Sequence, residues 1–289
     1  MSAETGLLDF LKRGARQIQR GPLAMILIED DAAVTETIAH HLRVGFRHVL
    51  ALSPEPITLP DDMAARVTNL IWDTRRPAAH VEAVNALIRA VPDGTWLYYC
   101  FNAEFLFFPF SEHRHVGEML SFHAEERRNA MLSYVIDLYG PDLSRCPSGV
   151  DLDQAMFDRT GYYALGVAGP DGVHLERQLA FHGGLRWRFE EYLPTDRRRI
   201  DRISLFRASE GLKIGDDHRF NDNEYNTYAC PWHHNLTAAI ASFRVAKALL
   251  RNPGSRDAIS GFTWRNSHKF EWNAQQLMDL GLMEPGQWF

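Results

Sequence analysis

Apolar positions along this chain follow two rhythms. Continuous runs at residues 23–28 (LAMILI), 47–52 (RHVLAL), 67–72 (VTNLIW) and 96–109 (WLYYCFNAEFLFFP) read as buried strands. Between them Val34, Ile38, Leu42 and Phe46, then Val81, Val84, Leu87, Ile88 and Val91, recur at helical spacing. Pro77 suits the first turn of the second of these helices, where its missing N–H is not needed. Strands alternating with helices over residues 22–100 predict βαβ units, a largely parallel sheet and right-handed crossovers.

The pattern changes after about residue 110. Residues 114–128 read as a helix, 131–139 (MLSYVIDLY) as a strand and 144–153 as a loop. Short strand-like runs at 173–181, 186–192 and 202–206 predict an antiparallel addition. Residues 236–250 (LTAAIASFRVAKALL) read as a helix along Leu236, Ile240, Phe243 and Ala246, stopped by Asn252, Pro253 and Gly254. Residues 5–20 carry a basic amphipathic pattern that predicts an N-terminal helical arm over residues 1–21. The main domain then runs over 22–250, with an aromatic-rich extension over 251–289 packed on it. Those aromatic ends allow a homodimer, and the arm allows weak peripheral association with an anionic membrane.

The 289 residues carry a net charge of −6, which argues against a nucleic-acid partner. No apolar run reaches membrane-spanning length, and residues 1–20 lack a signal-peptide core. The three cysteines, Cys100, Cys146 and Cys230, are too few and too scattered for a disulfide framework, so a reducing, cytoplasmic setting is expected.

No glycine-rich phosphate loop, Walker lysine motif, nucleophile elbow or HExxH occurs. The thirteen histidines show no ligand spacing, and of the adjacent His40 and His41 at most one is expected to face the core. Asp151 and Asp153 form a literal D-x-D, read here as a cap opening a helical turn at 154–157 rather than as a metal site. The polar interruption at Asn102, Ala103 and Glu104 is more suggestive, because the end of a buried strand is where an open α/β sheet takes its ligand.

The stretch ILIEDDAAVTETIAHHLRVGFRHVLAL resembles the opening of the family 2-like glycosyltransferases of the GT-A fold. There an apolar strand is followed by an acidic turn, a helix ending H-x-x-x-G-F, and a second strand. His41, Gly45 and Phe46 match directly, and Asp30 and Asp31 stand where an Asn-Glu pair is usual. Trp96, Glu104, Phe105 and Leu106 resemble the family's W-x-x-x-x-D-x-D-E-F-L. The Tyr134–Tyr139 run, Gly183-Gly184-Leu185-Arg186, Ile203-Ser204-Leu205 with Arg207, and His234 come in the family's order.

The resemblance implies an α/β, GT-A-like (Rossmann-like) fold with a mixed, mostly parallel sheet flanked by helices, an antiparallel addition and a C-terminal helix. It implies transfer of a sugar from a nucleotide-sugar donor to a glycan or other hydroxyl acceptor, of the kind used in polysaccharide biosynthesis. The donor would meet Asp30, Asp31, Asp73, Asn102 and Glu104, and the acceptor Gly183, Gly184 and Arg186. Glu125 and Asp137 are the candidate catalytic carboxylates. In the family a D-x-D carboxylate holds Mn²⁺ or Mg²⁺; here Phe101 and Ala103 occupy those two positions, leaving Glu104, His234 or Asn102 as substitute ligands, or a metal-free site that uses basic side chains. The competing expectation is a catalytically silent GT-A-like domain that binds a sugar or nucleotide or serves as a partner or scaffold. A third is an unrelated α/β enzyme using Glu125 and Asp137.

Overall fold

A computed structural model describes residues 5–14, 16–169, 171–227 and 235–288. The chain opens with α1 (Leu7–Lys12), β1 (Leu23–Leu27), α2 (Val34–Arg43), β2 (His48–Ser53), β3 (Val67–Ile71), α3 (Ala79–Ala90) and β4 (Trp96–Phe101). Next come β5 (Glu104–Phe107), α4 (Val116–Glu125), β6 (Ala130–Tyr139), β7 (Met156–Asp158), β8 (Tyr163–Ala168) and β9 (His174–His182). The last elements are α5 (Gly184–Arg188), β10 (Asp201–Arg207), β11 (Ala238–Ser242), α6 (Arg244–Arg251), β12 (Ser267–Lys269) and α7 (Ala274–Asp279). The protein is of mixed α/β class and divides into two compact units. One comprises residues 1–102, 113–131 and 203–226; the other comprises 103–112, 132–202 and 227–289.

The first unit's sheet is mostly parallel and compatible with a Rossmann-like fold. β1 lies between β2 and β4 and is parallel to both, and β2 pairs in parallel with β3. On the far side of β4, residues 205–207 of β10 pair antiparallel to it. β1 has no exposed residue, which explains why LAMIL shows no alternation: a central strand covered on both faces has no polar side. The expected strands and helices of residues 22–101 are all present, and the chain ahead of them is held too. α1 buries Leu7, Phe10 and Leu11, and Gly6 bridges to Ile71.

His40 and His41 depart from expectation, since both are buried. His41 donates from Nδ1 to the Thr37 carbonyl at 2.7 Å and stacks on Tyr98 at 5.2 Å, while His40 Nδ1 takes a hydrogen bond from Arg43 at 2.9 Å. Local partners at the helix end let both rings leave solvent.

In the second unit β11 pairs in parallel with β6 and antiparallel with β5, β6 pairs with β7, and β7 with β12. β8 and β9 form a separate hairpin. The aromatic C-terminal stretch packs edge-to-face on β5, Trp272 on Phe105 at 4.9 Å and Phe270 on Phe107 at 5.4 Å.

Three expectations for this unit are corrected. Residues 236–250 are not one helix: β11 comes first and α6 begins at Arg244. Ala238–Ser242 is fully buried, so its lack of a polar face suits a central strand as well as a helix. Residues 186–192 are not a strand but α5 and then a 3₁₀ turn, because Arg186 and Arg188 turn inward to buried carboxylates. Asp151 does take backbone N–H groups, from Asp153 at 3.1 Å and Gln154 at 2.9 Å, but the chain then enters β7 rather than a helical turn.

Candidate functional site

Two polar corners stand out, one in each unit. In the first unit the sheet reverses direction of growth at β1: β2 and β3 extend one way and β4 the other. The carboxyl ends of β1 and β4 at such a switch point are where open α/β sheets bind ligands. Asn102, fully buried just after β4, spans the gap. Its Oδ1 accepts from Glu29 N at 2.9 Å, and its Nδ2 donates to Asp30 Oδ1 at 2.7 Å and to the Ala32 carbonyl at 2.9 Å. The amide is therefore saturated by the β1 loop, and it shapes that loop.

Asp30 also accepts from Ala32 N at 3.0 Å. Thr74 Oγ1 donates to the Ile28 carbonyl at 2.5 Å, and Arg75 Nε to the Glu29 carbonyl at 3.0 Å. Asp73 turns the chain there by accepting from Arg75 N. Asp30, Asp73 and Asn102 thus converge on one corner, with Asp31 exposed on the same loop. Arg75, which sequence reasoning missed, adds a guanidinium.

Glu104 lies in the second unit with no exposed surface, its Oε2 2.5 Å from Arg202 Nη2 and its Oε1 3.0 Å from Ser242 Oγ. A buried carboxylate held by a guanidinium and a hydroxyl is not a metal ligand. The flanking Phe101 and Ala103 carry no ligating atom, and Ala103 takes a left-handed φ of 60° in the turn between β4 and β5. Mn²⁺ or Mg²⁺ therefore does not fit the Glu104 site. His234 lies outside the described residues.

The second corner brings Asp137 together with all three residues expected on the acceptor side. Asp137, 1% exposed near the end of β6, accepts from Arg186 N at 3.2 Å and from Arg186 Nε at 3.3 Å. Gly184, at φ 62°, lies so close that a Cβ there would come within 3.0 Å of Asp137 Oδ2. A Cβ on Gly183 would collide with the Tyr162 ring at 2.2 Å. The two glycines thus seat a carboxylate on one side and an aromatic ring on the other. Burial pushes Asp137 up to about 6, with Arg186 pulling the other way.

Next to it, Asp158 Oδ1 takes Tyr139 Oη at 2.6 Å, Trp264 Nε1 at 2.7 Å and Arg188 Nη1 at 3.1 Å. The Tyr162 hydroxyl is buried without a hydrogen-bond partner among the described residues; burial and then Asp158, Asp137 and Tyr139 push it well above the usual phenol range. Tyr162, Asp158, Arg188 and Trp264 carry no spacing signal that the sequence could have shown. Glu125, by contrast, is exposed at the end of α4 in the first unit and does not share a unit with Asp137.

Compared with known proteins, the chain matches no family model and no curated protein.

Proposed function

We propose that this is a GT-A-like glycosyltransferase whose first unit takes a nucleotide sugar without a metal, acting in the cytoplasm on a hydroxyl-bearing acceptor. The carrying observation is the β4-β1-β2-β3 order, which puts Asp30, Asp31, Asp73 and Arg75 around the Asn102-clamped switch point. Carboxylates at such a point accept hydrogen bonds from ribose hydroxyls, and a guanidinium offers a charge-assisted partner to a diphosphate. In the second unit Asp137, raised to about 6, is ionised at neutral pH yet more basic than an ordinary carboxylate, which suits a base toward a hydroxyl. Free thiols at Cys100 and Cys146 support a reducing compartment.

Among the described residues no helix is long and apolar enough to cross a membrane. Titration calorimetry with UDP-, GDP- and CMP-sugars, with and without Mn²⁺, tests this reading. Metal-independent binding that weakens in Arg75→Ala is the expected result, and binding to none of the donors overturns it.

One observation favours a second reading, a silent domain that binds sugar or a partner. Glu104, the family-matching carboxylate, is spent on a structural ion pair with Arg202. Donor binding without turnover toward any hydroxyl acceptor would select it.

A further inference from the structure

The second unit contains a cavity of about 250 Å³. Four aromatic side chains line it, Tyr134, Tyr162, Tyr163 and Phe181, together with the aliphatic Ile136 and the carboxyl-bearing Glu284. Tyr134 and Phe181 meet at 67° with centroids 4.9 Å apart, so their rings form two steeply inclined walls.

Size limits the occupant. Pockets that take drug-sized ligands run to roughly 300–1,000 Å³, so this smaller space matches a single ring better than a whole nucleoside diphosphate sugar. Wall chemistry narrows it further. Aromatic faces pack against the C–H face of a saturated ring, and a carboxylate accepts from hydroxyls. Among the described lining residues there is no Lys, Arg or His to match an anion's charge. Tyr162 lends the cavity its ring rather than its hydroxyl, which is buried from water and faces Asp158 and Asp137. Tyr162 also touches Gly183, next to the Gly184 that packs on Asp137, so the wall continues into the carboxylate corner.

We propose that this cavity holds one neutral hexopyranose ring, the terminal unit of a glycan acceptor. The acceptor role rests on the transferase reading; ring binding itself does not.

The test is saturation-transfer NMR on the full chain with methyl glucoside, galactoside and mannoside, and with tetramethylammonium as the cation that an aromatic cage would prefer. At least one methyl hexoside should bind, and Phe181→Leu, which removes an aromatic wall, or Glu284→Gln, which removes a carboxylate with little change of shape, should weaken it about fivefold or more. Nucleotide-sugar binding by calorimetry should be unchanged in both variants. The proposal is overturned if no hexoside binds, if both variants bind it as well as the parent, or if tetramethylammonium is saturated more strongly than every hexoside. Hexoside binding with no nucleotide-sugar binding would remove the transferase reading and leave the ring site standing. The reverse would remove the ring site alone.

Discussion

Glu104 and Arg202 form a fully desolvated ion pair: both Oε atoms face guanidinium nitrogens, at 2.5 and 3.3 Å, and neither residue is more than 4% exposed. The residue that most resembles a catalytic motif is therefore part of the second unit's framework. Removing one partner leaves the other charge buried alone. Glu104→Ala should cost about 3–5 kcal/mol in urea unfolding, whereas Glu104→Leu combined with Arg202→Met should recover most of that loss. If Glu104→Ala unfolds like the parent, or if Mn²⁺ raises the parent's unfolding midpoint through Glu104, the ion-pair assignment is wrong.

Gly184 disfavours any side chain, for two separate reasons. Its φ of 62° is left-handed, and an added Cβ would press on Asp137 Oδ2 at 3.0 Å. Gly184→Ala should therefore lose about 1–3 kcal/mol. The same methyl should displace the Asp137 carboxylate from Arg186 N. Alanine in place of Gly211, which has a comparable φ of 75° but open space around it, should cost less. Equal losses at both positions would mean that backbone conformation alone matters at Gly184.

Asn102 is a clamp whose amide cannot be replaced by an acid. In Asn102→Asp the Nδ2 donor to Asp30 Oδ1 and to the Asp30 and Ala32 carbonyls becomes an oxygen facing three acceptors, one of them a carboxylate. A loss of about 2–4 kcal/mol is expected, together with loss of nucleotide-sugar binding as the β1 loop opens. Hydrogen exchange of the Glu29 amide, bonded to Asn102 Oδ1, reports the opening directly. An unchanged Glu29 amide in the variant would refute the clamp.

Much of the first unit was legible because its strands are central and its helices amphipathic, so burial leaves a pattern in sequence. β1 to β4 and the helices between them are encoded in runs such as LAMIL and in the spacing of Val34, Ile38 and Leu42. The second unit depends on partners far apart in sequence. Nothing near Arg186 or Arg188 announces that Asp137 and Asp158 wait 49 and 30 residues upstream, so the alternation R-W-R-F resembles a strand. Glu104 presented the opposite problem: its local motif was clear, and a residue 98 positions away decides what it does. The resemblance pointed separately to Asp137, paired there with Glu125, and to Gly183, Gly184 and Arg186; nothing local would have placed Tyr162 beside them.

The pH dependence of stability should separate two buried groups that pull in opposite directions. Burial pulls His123 down to about 4, while its Nε2 donates to the Ala130 carbonyl at 2.9 Å; the ring folds neutral. Its contribution is complete above the unfolded value of 6.5 and is lost as pH falls through about 4. Asp137, raised from 3.8 to about 6, does the reverse: its contribution is complete below 3.8 and is lost as pH rises through about 6. Each shift corresponds to something on the order of 3 kcal/mol, so between pH 4 and 6 the two slopes nearly cancel. Asp137→Asn should break the balance. Whatever it costs at a fixed pH through the lost Arg186 pair, its urea midpoint should rise more steeply with pH from 4 to 6 than the parent's. His123→Gln, which keeps an N–H donor, should tilt the same plot the other way. Parallel profiles for parent and Asp137→Asn would show that Asp137 titrates as an ordinary carboxylate, and would remove the basicity on which its proposed role toward an acceptor hydroxyl depends.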